Sequence, residues 1–201
     1  MKKKFVSIAF TLFAIAGFAQ KDVTVIEPGA ALPAADVKME NVVSGDINLN
    51  DALGKNGLLV MFSCNTCPYV IKNQQRTKAI SDYAAKNNFG VVIINSNQAQ
   101  FNAQDSKEAM KAYAKKQKYT VPYVIDANSE VANAFGATKT PEVFLFNKDK
   151  VLVYRGAIDD NSGGEAVNER EHLKEAINEM VAGKEVSVKT SKSFGCSIKR
   201  S

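Results

Sequence analysis

Short apolar runs alternate along the chain with segments in which apolar residues recur at the spacing of a helix. The runs span four or five residues beside turn-forming residues, a pattern typical of buried strands. The predicted strands are 58–62, 91–94, 121–125, 143–146 and 151–154, and a small hairpin over 37–53 precedes them. The predicted helices are 66–87, 105–113, 129–136 and 173–183. This order predicts an α/β fold, a three-layer α/β/α domain with a mixed central sheet.

Polar residues and glycines predict where several of these helices begin or end. Asp105, with Glu108 three residues later, resembles a capping box and predicts that a helix opens there. Ser129 is the predicted N-cap of the short helix that ends at Gly136. Gly183 predicts the end of the last helix.

The start of the chain has the pattern of a secretory signal peptide. Lysines at positions 2–4 precede an apolar run over 5–18, and small residues lead up to Ala19. The run is shorter than the roughly 20 residues of a membrane-spanning helix; an uncleaved anchor is the alternative. We expect an exported protein, periplasmic or secreted, cleaved near Ala19. The predicted division is a signal peptide at 1–19, a linker at 20–31, a domain at 32–183 and a C-terminal tail at 184–201.

Charge and composition exclude several classes of function. The formal charge of +5 falls to +2 once residues 1–19 are removed, because that segment holds three lysines and no acidic residue. The remaining lysines are scattered rather than clustered, which argues against a nucleic-acid partner. Neither a glycine-rich phosphate loop nor a Ser-His-Asp set is apparent, so no nucleotide and no bound cofactor are expected. With 201 residues, the chain suits one domain and one active site.

Cys64 and Cys67 stand where a predicted strand gives way to a predicted helix. Unpaired N–H groups and the helix dipole favour an anion there, so the pKa of Cys64 is expected to fall from about 8.5. Cys64 is then the nucleophile that attacks a disulfide, and Cys67, one helical turn away, resolves the mixed disulfide. We also considered a structural disulfide, which is a weak staple over so short a loop. A zinc site built from Cys64, Cys67, Cys196 and His172 is the other alternative, although its ligands do not come in close-spaced pairs.

Several motifs together resemble the thioredoxin superfamily. They are the strand–C-x-x-C–helix unit, the Thr140-Pro141 step before a strand and the V-Y-R-G stretch at 153–156. A narrower resemblance is to redoxins of the alkyl-hydroperoxide-reductase and thiol-specific-antioxidant type. It rests on C-N-T-C-P-Y-V at 64–70, I-N-S-N at 94–97, R-G-A-I-D-D-N at 155–161 and G-C-S-I-K at 195–199. The match spans about residues 32–199, which chance motif matching rarely gives.

The resemblance implies a thioredoxin-like fold and an exported thiol–disulfide oxidoreductase. Pro141 is then a cis-proline facing the cysteines, and the Thr140 backbone binds an extended substrate segment; an ordinary proline at a strand start is the alternative. The implied partners are protein thiols and disulfides, with a membrane-borne electron donor if the protein is a reductase.

Two sets of residues depart from related families. Leu58 and Ser63 replace the buried aspartate and the tryptophan of thioredoxin, so the proton of Cys67 needs another acceptor. Met61 and Gly57 stand where a peroxiredoxin has threonine and proline. A thiol peroxidase is nevertheless the first rival function, and a non-enzymatic copper or zinc carrier is the second.

Other polar residues have weaker claims to a role. Cys196 is a candidate third redox thiol, because Lys192, Lys199 and Arg200 near it in sequence favour a thiolate if they approach it. An incidental exposed thiol or a docked tail end is the alternative. His172 is read as a helix-surface residue, and Arg155, Asp159 and Asp160 as a turn cluster or as part of the rim of the active site.

Overall fold

A six-stranded mixed sheet forms the centre of the computed structural model, which describes residues 24–161 and 170–200. Its strands are β1 (Glu40–Asn41), β2 (Gly57–Ser63), β3 (Phe89–Asn95), β4 (Tyr123–Ile125), β6 (Glu142–Asn147) and β7 (Leu152–Gly156). The spatial order is β1-β4-β3-β2-β6-β7. Strands β2, β3 and β4 are parallel, whereas β6, β7 and β1 are antiparallel to their neighbours. A separate pair joins β5 (Lys139–Thr140) to β8 (Cys196–Ser197).

Alternate residues of the central strands enter two separate cores. The helices are α1 (Pro68–Lys86), α2 (Lys107–Gln117), α3 (Glu130–Phe135) and α4 (His172–Val181). Residues of α1, α2 and α4 pack with Leu59 and Met61 on one face of β2. Residues of α3 and of the N-terminal segment pack with Leu58 and Val60 on the other. The predicted three-layer α/β arrangement with a mixed sheet is confirmed.

The predicted helix cap at Asp105 is wrong, whereas Ser129 is at the predicted N-cap position of α3 but makes no capping bond with its side chain. Ser106 is the N-cap of α2 and its side chain accepts from the Ala109 N–H, because the buried Asp105 carboxylate binds other donors. Ser129 precedes α3, but its hydroxyl donates to the Ser96 carbonyl. The Asp126 carboxylate instead accepts the first free N–H groups of α3, those of Val131 and Ala132.

Both ends of the described chain pack on the domain. The N–H of Gly29 donates to the Leu152 carbonyl at 2.8 Å, within the predicted linker. The tail hydrogen-bonds with Arg155 of β7 through Lys189 and Ser191 before it forms β8. The predicted signal peptide lies outside the described residues. In the part of the chain that the structure describes, no helix has the length and apolar character needed to cross a membrane.

Candidate active site

Cys64 and Cys67 lie between β2 and α1. Strand β2 ends at Ser63, Cys67 is the N-cap of α1, and Pro68 opens the helix, where its missing N–H costs no intrahelical bond. The backbone N–H groups of Thr66 and Cys67 favour the Cys64 thiolate and lower its pKa. Both cysteines are buried, Cys64 with 2% and Cys67 with 5% of its surface exposed. The sequence reasoning therefore placed the pair correctly at a helix N-terminus.

Thr140 faces both sulfurs. The Cys64 sulfur lies 3.6 Å from the Thr140 hydroxyl, and the Cys67 sulfur lies 3.3 Å from the Thr140 carbonyl oxygen. The Thr140–Pro141 bond is cis, as the resemblance implies. The buried Glu142 carboxylate accepts the N–H groups of Thr138 and Lys139 at 2.9 and 3.2 Å, which fixes the turn before Thr140. Nothing in the sequence pattern singled out Glu142 for this role.

Cys67 is bonded to Cys196 in this structure, and Cys64 is a free thiol. The pairing of β8 with β5 places Cys196 opposite Thr140 and brings the Cα atoms of Cys67 and Cys196 to 6.1 Å, well within disulfide range. The three cysteines and Val70 form one apolar cluster. Cys196 thus belongs to the site, although 129 residues separate it from Cys67 in sequence.

The expectation of a lowered pKa at Cys64 is wrong for this state. Burial of the thiol raises its pKa and outweighs the hydrogen bond from the Thr140 hydroxyl and the two backbone N–H groups, which lower it. The negative charge of Asp105 raises it further. The N–H groups at the helix N-terminus lower the pKa of Cys64, as expected. Burial raises the pKa more, because the buried thiolate loses more solvation free energy than these donors supply.

We predict that Cys64 is alkylated slowly in the oxidised protein, with a pH midpoint above the usual range of cysteine. Only the thiolate reacts, so the rate should rise with pH and the curve should shift to higher pH relative to the same protein unfolded in urea. The measurement is the iodoacetamide rate from pH 6 to 11 (about the range over which thiols titrate). A midpoint at or below that of the unfolded chain would contradict the burial argument.

A buried carboxylate that the sequence reasoning took for a helix cap supports the cysteine turn. Asp105 is fully buried, and its two oxygens accept the backbone N–H of Asn65 and the side-chain amide of Asn97, each at 2.9 Å. Asn65 follows Cys64 directly, so Asp105 fixes the backbone that carries the free thiol. The Asn65 amide oxygen accepts from the Tyr123 hydroxyl at 2.9 Å.

The same network reaches the tail. The Asn97 amide oxygen accepts the backbone N–H of Lys199 at 2.9 Å, while its amide nitrogen binds Asp105. One side chain therefore joins the loop after Cys64 to the segment that carries Cys196. The I-N-S-N stretch carries part of the family resemblance, but its physical role depends on contacts that only the fold brings together.

The remaining candidate residues lie outside the cysteine cluster. Arg155 pairs with Glu27 and Asp159 pairs with Arg76 at 2.9 Å, both across long separations in sequence, while the N–H of Asn161 donates to Asp159 locally. His172 begins α4. Among residues 24–161 and 170–200, no group of three or more His, Cys, Asp or Glu side chains is placed to hold a metal ion.

Two of the three cations that were expected to favour a Cys196 thiolate, those of Lys192 and Arg200, contact other groups. The Lys192 ammonium lies 5.0 Å from the centre of the Phe194 ring. The Arg200 guanidinium donates to Asn133 and to the Ala137 carbonyl. The contacts of these two residues thus attach the tail to itself and to the α3 side of the domain.

Comparison with known proteins places this site in a family. The family model described as Redoxin matches residues 27–176, which include both cysteines of the C-x-x-C motif and the cis-proline. The chain belongs to the Redoxin family. No curated protein matches this redoxin.

Solved structures agree with the thioredoxin-like fold. An uncharacterized conserved protein from Geobacillus kaustophilus is 33% identical to this redoxin, with a TM-score of 0.80 over 87% of this chain and 92% of the other. The thioredoxin domain of a thiol-disulfide oxidoreductase from Bacteroides vulgatus is 16% identical, with a TM-score of 0.54 over 66% and 89%. A mutant of PrxQ from Xylella fastidiosa is 18% identical, with a TM-score of 0.57 over 80% and 98%. The last two share the fold, so the predicted thioredoxin-like fold is confirmed.

Proposed function

We propose that this redoxin is an exported thiol–disulfide oxidoreductase that exchanges disulfides with protein partners through Cys64 and Cys67. One observation carries the proposal. A free thiol, Cys64, and a disulfide, Cys67–Cys196, lie in one buried cluster beside Thr140, so both reactants of an exchange reaction are already together. The Redoxin family supports oxidoreductase activity in general, and the site supplies the residues.

The exchange follows from ordinary thiol chemistry. In the reduced protein, the Cys64 thiolate attacks a sulfur of the partner disulfide, and the partner's other sulfur leaves as a thiolate. The Cys67 thiolate then attacks Cys64, which forms the Cys64–Cys67 disulfide and releases the second partner thiolate. Two electrons pass from the protein to the partner. The reverse sequence oxidises a partner dithiol, and the reduction potential sets the direction.

The site needs no bound cofactor for these steps. Export rests on the signal-peptide pattern of residues 1–19, and an exported reductase would draw electrons from a membrane-borne donor.

The thiol peroxidase remains the rival function, since this redoxin shares its fold with PrxQ. Met61 and Gly57 stand at the peroxiredoxin motif positions and argue against it.

Equilibration of the Cys196→Ser protein in glutathione buffers tests the proposal. We expect a Cys64–Cys67 disulfide that forms and breaks reversibly, because Cys67 loses its other partner. A potential near about −270 mV would identify a reductase and one near about −120 mV an oxidant of folding proteins.

Two results would contradict the proposal. One is failure of Cys64 and Cys67 to form a disulfide, which would favour a metal carrier if the reduced protein also retained stoichiometric copper or zinc. The other is oxidation by hydrogen peroxide that greatly outpaces oxidation by a peptide disulfide, which would favour the peroxidase.

A further inference from the structure

Strand β8 lies along the edge of β5, the strand that contains Thr140 and faces the cysteines. β8 pairs antiparallel with β5, with Cys196 opposite Thr140 and Ser197 opposite Lys139. Backbone pairing of an extended segment beside a reactive group is the geometry of peptide recognition by strand addition. The chain thus places its own cysteine where the proposed function requires a partner's extended segment.

We propose that strand β8 is an internal substrate of the Cys64–Cys67 pair. The Cys67–Cys196 disulfide exchanges with a Cys64–Cys67 disulfide. Partner proteins replace β8 with an extended segment that has glycine directly before a cysteine. The inference rests on the proposed function and names its partner class. It also assigns Cys196 a redox role and gives the tail a regulatory one, since a bonded tail closes the edge.

The internal exchange balances without any outside reagent. The Cys64 thiolate attacks the Cys67 sulfur, the Cys64–Cys67 bond forms, and the Cys67–Cys196 bond breaks. Cys196 leaves as a thiolate and takes up the proton that Cys64 lost. No electron enters or leaves, so the two disulfide forms are isomers of one oxidised protein.

Gly195 sets the requirement on the residue before the cysteine. A Cβ atom at this position would lie 2.3 Å from the Thr140 carbonyl oxygen and 2.7 Å from the Thr140 carbonyl carbon. These are backbone atoms, and real Cβ atoms do not approach so closely, so any larger residue pushes the strand off β5. A partner segment that pairs in the same register brings its cysteine opposite Thr140, which contacts the Cys64 sulfur as well as the Cys67 sulfur, and it meets the same limit.

Contacts beyond the disulfide hold the tail in this register. The Lys139 ammonium donates to the Ser193 carbonyl at 3.2 Å, and the Ile198 N–H donates to the Thr138 carbonyl at 3.0 Å. The Ile198 side chain is buried in the α3-side core. The Lys199 N–H binds Asn97. These are side-chain and backbone contacts of a short segment, which an incoming segment of similar sequence can replace.

Disulfide mapping of the oxidised full-length chain tests the tail's role. Wild type should hold mainly Cys67–Cys196, and Gly195→Ala should shift the isomer ratio toward Cys64–Cys67 by at least about tenfold, the effect of a modest steric strain. Gly45→Ala is the matched control, because Gly45 is exposed with no atom within 4 Å of the added Cβ, and it should keep the wild-type ratio. An unchanged ratio in Gly195→Ala would overturn the inference.

Two peptides that differ only in the residue before the cysteine test the partner class, and Gly195 of the protein stays unchanged in this experiment. The Cys196→Ser protein is reacted with glutathione mixed disulfides of the peptide SKSFGCSIK, the sequence of residues 191–199, and of SKSFACSIK. The glycine peptide should react at least about tenfold faster; equal rates would overturn the inference. The proposed function fails separately, if Cys64 and Cys67 form no disulfide in that protein or if Cys64→Ser keeps full exchange activity.

Discussion

Replacement of Cys64 by serine should lower the rate of disulfide exchange with a peptide substrate by at least about a thousandfold, as expected when a nucleophile is removed. A serine hydroxyl does not ionise near neutral pH and so cannot attack a disulfide sulfur. The oxidised variant should also stay locked as Cys67–Cys196, because no thiol remains in the cluster to open that bond. The measurement is the exchange rate of the reduced protein, followed by peptide chromatography.

The matched control for this loss is Cys196→Ser, which removes a cysteine of the same cluster. It should keep most of the exchange rate, because the Cys64–Cys67 pair is intact. Loss of activity in Cys196→Ser together with full activity in Cys64→Ser would reverse the roles that we assign.

Asp105→Ala should lower the free energy of unfolding by about 2–4 kcal/mol, since it leaves two buried donors unsatisfied. These donors are the Asn65 N–H and the Asn97 amide, which no longer find an acceptor in the interior. Urea unfolding of the oxidised protein measures the loss. The exposed carboxylate variant Asp149→Ala should unfold like wild type.

Asp105→Asn separates the charge of this residue from its hydrogen bonds. One amide oxygen still accepts a donor, so the loss of stability should be smaller than in the alanine variant. Removal of the negative charge should lower the pKa of Cys64, because that charge raises it, and the alkylation curve should move to lower pH. A purely structural role for Asp105 would leave the curve unmoved.

Local sequence patterns predicted the parts of the fold that neighbouring residues decide. The apolar runs became β2, β3, β6 and β7, and the C-x-x-C motif lies where a strand meets a helix. Strand β4 is shorter than the predicted run 121–125, because Pro122 has no N–H for the sheet and pairing begins at Tyr123. Gly136 ends α3 with a φ of 68°, as its position predicted.

Features that depend on contacts between residues far apart in sequence could not be predicted from local patterns. Asp105 and Ser106 are both good N-cap residues, and only the position of Asn65 and Asn97 in the folded chain decides that Asp105 turns inward. The sequence offered Cys196 only as a candidate third redox thiol, and the pairing of β8 with β5 is what places it opposite Thr140. The pKa of Cys64 depends on burial by the whole fold, which a dipole argument from one helix does not include.

Capture of a mixed disulfide tests the central claim most directly. The Cys67→Ser/Cys196→Ser protein has Cys64 as its one cysteine and no thiol to resolve an intermediate. Reaction with a peptide disulfide should therefore leave the peptide bonded to Cys64, whereas the Cys64→Ser/Cys196→Ser protein should capture far less through Cys67. Efficient capture at Cys67 together with none at Cys64 would contradict the account, because the attacking thiol would then not be the one that the structure leaves free.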